Sequence, residues 1–179
     1  MSGGTGPQHA QYVDPRPDFM VTTGTADSGL TRGYHSVAAL LPDGRVFVAG
    51  GRGMDRATTL EKPSYQIYTP VYPDGPAPQV VQAPATWDYG SLKSVTTTGP
   101  PPAEFVLLSP ASMTHSFDMN GRSVQIPLGR TFSTPDGTAH LSTVGAPANS
   151  HVAPPGTYWL FAVSAAGVPS AGVPVRIGS

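Results

Sequence analysis

Apolar residues in this chain gather in short runs that glycine, proline and aspartate interrupt before a helical face could form. Residues 36–41 make one such run. Pro42-Asp43-Gly44 supplies turn chemistry, and 45–49 make a second run stopped by Gly50-Gly51, so the stretch predicts a β-hairpin. The polar stretch 51–62 reads as a loop and Tyr65–Tyr68 as a further strand. Beyond Pro76 the pattern predicts strands at Gln79–Gln82, 92–97, 104–108, 123–127, 139–144, Gly156–Ser164 and Val173–Ile177, enough for a seven-stranded β-sandwich. In the longest of these, Tyr158, Leu160 and Ala162 share one face and Trp159, Phe161 and Val163 the other, as in a central strand covered on both sides. Residues 1–30 are small, polar and turn-rich, with Pro15, Pro17 and one brief apolar run at 19–21, and read as a flexible N-terminal tail or loose strand.

Composition points the same way. Glycine and proline number 21 each among 179 residues, well above their usual combined share of about 12%, and such punctuation excludes long helices. With 39% hydrophobic residues in alternating runs, the chain has the means for a folded core. The net charge is −1 and the charges are scattered, which leaves no electrostatic footprint for nucleic acid or an anionic membrane. No apolar run approaches the roughly 20 residues of a transmembrane helix, and the first residues carry neither the basic start nor the apolar core of a signal peptide, so the chain as written is not addressed for export. The absence of cysteine excludes disulfide and thiolate chemistry within these residues.

A phenol and an imidazole, Tyr34 and His35, stand side by side immediately before the first hairpin, which suggests a metal site. Neighbours in a regular strand point to opposite faces, so the pair can converge on one ion only at a strand end, bulge or loop; Gly33 relaxes the backbone there. His9, His140 and His151 match no motif and read as surface residues. Asp43-Gly44 and Asp136-Gly137 are turns, and Glu104 and Asp118 have no spacing for paired acid–base work. Trp87, Tyr89, Trp159 and Phe161 could form a sugar-stacking platform. Core packing is the expectation for Trp159 and Phe161, whereas Trp87 and Tyr89, near Pro84 and Gly90, are weaker core candidates.

The run RGYHSVAALLPDGRVFVAGG, residues 32–51, resembles the last propeller strands of the copper radical oxidases, galactose oxidase and glyoxal oxidase, with the double glycine of a kelch-type blade. SYQIYTPVYPDG (64–75) is similar to the proline-rich exit from the family's propeller. FVLLSPASMTHSFDMNGRSVQIPL (105–128) resembles the segment carrying its second copper histidine, and PPGTYWLFAVSAAGVPSAGVPVRI (154–177) the closing strands of its immunoglobulin-like early-set domain. The resemblance implies an all-β chain in three parts: the tail at 1–30, a partial kelch-type β-propeller blade at 31–75 and an immunoglobulin-like early-set sandwich at 76–179. It also implies copper held by Tyr34, His35 and His115, with the histidines equatorial and Tyr34 axial, taking the proton of a substrate alcohol.

The family oxidises an alcohol or aldehyde with O2 and forms H2O2. Its radical tyrosine, cross-linked to a cysteine, lies in upstream blades, and with no cysteine in these residues that Cys-Tyr cofactor cannot be carried over. The chain alone is therefore not expected to be catalytically complete, and whether it acts as an enzyme stays open. The implied partners are the missing propeller portion and, once complete, a small alcohol, aldehyde or sugar; nucleic acid and membrane are not among them. Members of the family are largely secreted or periplasmic. Two other readings stand beside this one: a non-catalytic early-set module serving as an interface, and a carbohydrate-binding module resting on the aromatic residues. Strands at 36–49 without a neighbouring blade would leave open edges, so self-association is expected.

Overall fold

In this computed structural model the described residues are 9–14, 20–27, 29–30, 32–52, 63–115 and 117–178, and every regular element among them is a β-strand. β1 (His9–Asp14) and β2 (Met20–Asp27) pair antiparallel, with Tyr12 opposite Thr22. The stretch expected as a tail or loose strand thus contains a hairpin, to which the β-branched Val21, Thr22 and Thr23 contribute strand preference. Residues 1–8, most of the loop expected at 51–62, and the side chain of His9 lie outside the described part.

β3 (Ser36–Leu40), β4 (Val46–Gly50) and β5 (Tyr65–Tyr68) form a three-stranded antiparallel sheet with β4 central, and it does not close on itself. The β3–β4 turn closes through Gly44 N–H to Leu41 O, 3.0 Å, with Gly44 at φ 82°, a conformation that favours glycine. Arg45 donates to Asp43 across this turn at 2.8 Å, and that bond holds the Asp43 carboxyl below its ordinary pKa. Register places Val37, Ala39, Phe47, Ala49 and Ile67 on one face and Ala38, Leu40, Val46, Val48 and Tyr68 on the other. Both faces are apolar, and all ten residues of β3 and β4 are half-buried.

From β6 onward two sheets stack. β6 (Gln79–Gln82), β8 (Leu92–Thr98), β14 (Ala139–Gly145) and β13 (Leu128–Ser133) make one, in the order β13-β14-β8-β6. The other is β12-β9-β15-β16-β7, from β7 (Thr86–Trp87), β9 (Pro102–Leu108), β12 (Ser123–Ile126), β15 (Gly156–Ser164) and β16 (Val173–Ile177). Between β9 and β12 the chain makes a small hairpin of β10 (Met113–Thr114) and β11 (Phe117–Asp118). The sandwich therefore has two strands more than the seven expected. β7 is too short to show a period and joins β16 in parallel; β13 is an edge strand whose alternation is broken by a register shift between Leu128 and Thr131.

Inward residues of both sheets, among them Val95, Phe105, Leu107, Val144 and Leu160, form one core. Tyr158, Leu160 and Ala162 of β15 enter it as the alternation predicts. On the opposite face Phe161 is buried against Gly172, where a Cβ would sit 2.7 Å from the ring, while Trp159 and Val163 are half-buried. Two expectations are corrected. Trp87 is fully buried, its indole N–H donating to Pro84 O at 2.8 Å, and Tyr89 packs beside it with its hydroxyl on Ala153 O at 2.8 Å. His140, read as a surface residue, is 3% exposed: its Nε2 lies 2.9 Å from Gly99 O and its Nδ1 2.8 Å from Ser133 Oγ. A carbonyl can only accept, so Nε2 carries the proton, and in the neutral ring Nδ1 accepts from the Ser133 hydroxyl. The polar pair satisfied in this way is what makes the burial affordable. His151 is exposed, as expected.

The sandwich grips the three-stranded sheet at its turn. Gly172 N–H donates to Pro42 O at 2.7 Å and the Tyr72 hydroxyl to Gly44 O at 2.7 Å.

Candidate metal centre

Two turns from distant parts of the chain meet at one end of β3. The first is Gly33-Tyr34-His35-Ser36, closed by Ser36 N–H to Gly33 O at 3.2 Å. His35 has φ 65° while Tyr34 does not have positive φ, which is the type II pattern. The turn lets two consecutive side chains leave on the same side, as a regular strand would not. Gly50 and Gly51, at φ 66° and 100°, lie directly behind it: a Cβ on Gly51 would stand 3.2 Å from Gly33 N and 3.3 Å from Arg32 Cα. Arg52 N–H donates to Tyr34 O at 2.8 Å, and the Arg32 guanidinium ties the turn to the neighbouring strands through Gly50 O at 2.8 Å and Ser64 O at 3.0 Å.

The second turn is the tip of the β10–β11 hairpin. Thr114 pairs with Phe117, so His115 opens a two-residue loop, and its φ of 50° is the positive value that such loops require. Asp118 braces the base by accepting from Ser112 N–H at 2.9 Å and Asn120 N–H at 3.0 Å. With β10 packed beside β3, the tip brings His115 to Tyr34 and His35. Ring centroids are 3.9 Å apart for Tyr34 and His35, which stack, 5.5 Å for Tyr34 and His115, and 5.2 Å for the two histidines, which meet edge to face. All three side chains are exposed.

His35 and His115 are the only non-glycine residues with positive φ among the described ones. That conformation costs roughly 1–2 kcal/mol for an L-residue. Among the described residues it occurs only at the two histidines that converge, and strained backbone of this kind clusters at functional sites. The donor set suits copper: two imidazoles and one phenolic oxygen are ligands that Cu(II) accepts in tetragonal geometry. A ring nitrogen about 2.0–2.1 Å from a metal puts the imidazole centroid about 3.1 Å from it, so two imidazoles on one ion lie about 4.5 Å apart at a right angle and about 6 Å apart across it. The observed 5.2 Å falls between these limits. Among the described residues no three of His, Cys, Asp and Glu cluster.

Sequence reasoning assigned no role to Arg32 or Thr114. The guanidinium that anchors the first turn had no local signature. Thr114, whose Oγ1 lies 2.7 Å from His115 Nδ1, was signalled only by a hydroxyl residue directly preceding the histidine.

The crowding behind the first turn has a measurable consequence. Gly51→Ala is expected to strain this segment by about 1–3 kcal/mol and to speed hydrogen exchange at the amides of Ser36 and Arg52 by about tenfold or more. Gly156→Ala, at ordinary φ with nothing within 4 Å, should leave both rates unchanged.

Comparison with known proteins places this geometry in context. Residues 77–177 match the model of the galactose oxidase-like early-set domain. The chain is 32% identical over 169 residues to an aldehyde oxidase of Arabidopsis thaliana, covering 85% of this chain and 27% of that protein. It is 31% identical over 156 residues to a galactose oxidase of Gibberella zeae, covering 84% of this chain and 22% of that protein. The chain thus spans about a quarter of the length of these relatives. In fold it is similar to a fungal alcohol oxidase of the AA5 family solved in complex with copper, with a TM-score of 0.82, 23% identity and coverage of 99% of this chain and 37% of that one.

Proposed function

Because the chain belongs to the galactose oxidase-like early-set family, we propose that it is the C-terminal, copper-holding portion of a copper radical oxidase, and that His35, His115 and Tyr34 are its ligands. The observation that carries this reading is the convergence of three side chains from two strained turns. When bound, copper would supply a one-electron acceptor that shares a two-electron oxidation with an organic radical. The residues of this chain do the rest of the local work. His35 and His115 would hold the ion by ring nitrogens, and the two turns keep the rings in place. The Tyr34 phenolate takes the hydroxyl proton of the substrate at its Oη, which leaves the alkoxide ready for oxidation. The overall balance is a primary alcohol plus O2 to aldehyde plus H2O2; for an aldehyde substrate, its hydrate plus O2 gives acid plus H2O2.

The 179 residues contain no cysteine, so a thioether-linked tyrosine cannot form within them. That group belongs to the remaining propeller, whose sheets would also cover the two apolar faces of β3–β5 as blade covers blade. A mixture of the chain with copper, O2 and an alcohol, aldehyde or sugar is accordingly expected to give no substrate-dependent peroxide. Robust turnover in a coupled peroxidase assay would defeat the incomplete-site reading.

A second reading, a non-catalytic early-set module, is favoured by one observation: the family match covers His115 but not Tyr34 or His35. It requires copper affinity indifferent to all three residues. The carbohydrate-binding alternative loses its main support, because Trp87 is sealed in the core.

A further inference from the structure

We propose that Thr114 is a positioning residue that fixes the tautomer of His115, accepting Nδ1–H at its Oγ1 and leaving the Nε2 lone pair for a metal ion. This rests on the copper reading above for its purpose, although the tautomer itself can be tested without metal. Thr114 Oγ1 and His115 Nδ1 are 2.7 Å apart, and among the described residues no hydrogen bond is made by Nε2. The contact is held from both ends. Thr114 is β-branched, with few χ1 choices, and sits in a strand pair with Phe117; the His115 backbone is locked in the left-handed region by the loop it opens. A histidine that binds metal through one nitrogen donates the other N–H to an acceptor, and that partner sets which nitrogen is available. A threonine hydroxyl can be this acceptor because its own hydrogen is free to turn elsewhere.

The protein carries its own contrast. His140 also meets a hydroxyl through Nδ1, at Ser133, but its Nε2 is committed to Gly99 O, which forces the proton onto Nε2. The two histidines are therefore expected in opposite tautomers. Free neutral histidine favours Nε2–H, so His140 follows the default and His115 departs from it.

Long-range 1H–15N spectra of the metal-free chain at about pH 8, where an ordinary imidazole is neutral, read both rings at once. The expected result is a protonated Nδ1 and an unprotonated Nε2 for His115, with the reverse for His140. Thr114→Val, at an exposed position, should move His115 toward Nε2–H, leave His140 unchanged as the sign of an intact sandwich, and weaken copper binding by about 10–100-fold. Thr114→Ser should restore both. A wild-type His115 protonated at Nε2, or a Thr114→Val chain with unaltered His115 shifts, overturns the proposal. If the tautomer follows residue 114 but copper affinity ignores His35 and His115 altogether, the tautomer assignment stands and the copper reading alone fails.

Discussion

Trp87→Ala is expected to lower the unfolding free energy by about 3–5 kcal/mol, a large share of the roughly 5–15 kcal/mol available to a domain. Trp87 is fully buried and belongs to a strand of only two residues, so its side chain, more than its ladder, attaches that strand to the core. The ladder itself is thin: Ile177 lies opposite Trp87, and Gly178 N–H donates to Trp87 O at 3.0 Å. Truncation leaves an indole-sized void between the sheets and strips Pro84 O of its donor. Urea unfolding followed by fluorescence of the remaining Trp159 measures the effect. Leu92→Ala, at a position 74% exposed, should stay within about 0.5 kcal/mol of wild type. A Trp87→Ala midpoint close to that of Leu92→Ala would show that β7 is not held by its tryptophan.

His35→Ala and His115→Ala are each expected to reduce Cu(II) affinity by more than the about 10–100-fold typical of losing an outer-sphere partner, and to abolish a nitrogen-ligated tetragonal resonance signal. Both residues lie at positive φ, so His35→Asn and His115→Asn serve as companions that tolerate the left-handed backbone and separate lost ligation from a disturbed turn. On the proposed reading both rings would hold one ion, so the double variant should lose little beyond either single one, the mark of two groups acting on a shared ion. His151→Ala, at an exposed histidine apart from the site, should bind as wild type does. Equal affinity in all of these chains would remove the copper centre.

Much of the strand inventory was legible because it is written locally. Gln79–Gln82, Gly156–Ser164 and Val173–Ile177 were found with their observed limits, since apolar alternation bounded by Gly and Pro encodes an extended, half-buried backbone wherever the segment ends up. The strands that escaped had weak local signals: two residues in β7, a broken alternation in β13, and turn-rich surroundings at β1 and β2. The condition that Tyr34 and His35 could converge only outside a regular strand was also local, because side-chain direction follows from backbone period alone.

What the sequence by itself determined is therefore the all-β class, the hairpin around Pro42-Asp43-Gly44, the need for small residues at Gly50-Gly51 and the family to which the chain belongs. Only the tertiary structure decided that Trp87 and His140 are interior, for burial depends on which sheets stack and which carbonyls wait inside, and no neighbour in sequence reports that. It also decided the meeting of His115 with Tyr34 and His35. The residue types named the chemistry, but the distance between two rings far apart in the chain is set by how β10 packs beside β3, a contact that joins the β10–β11 hairpin to the three-stranded sheet.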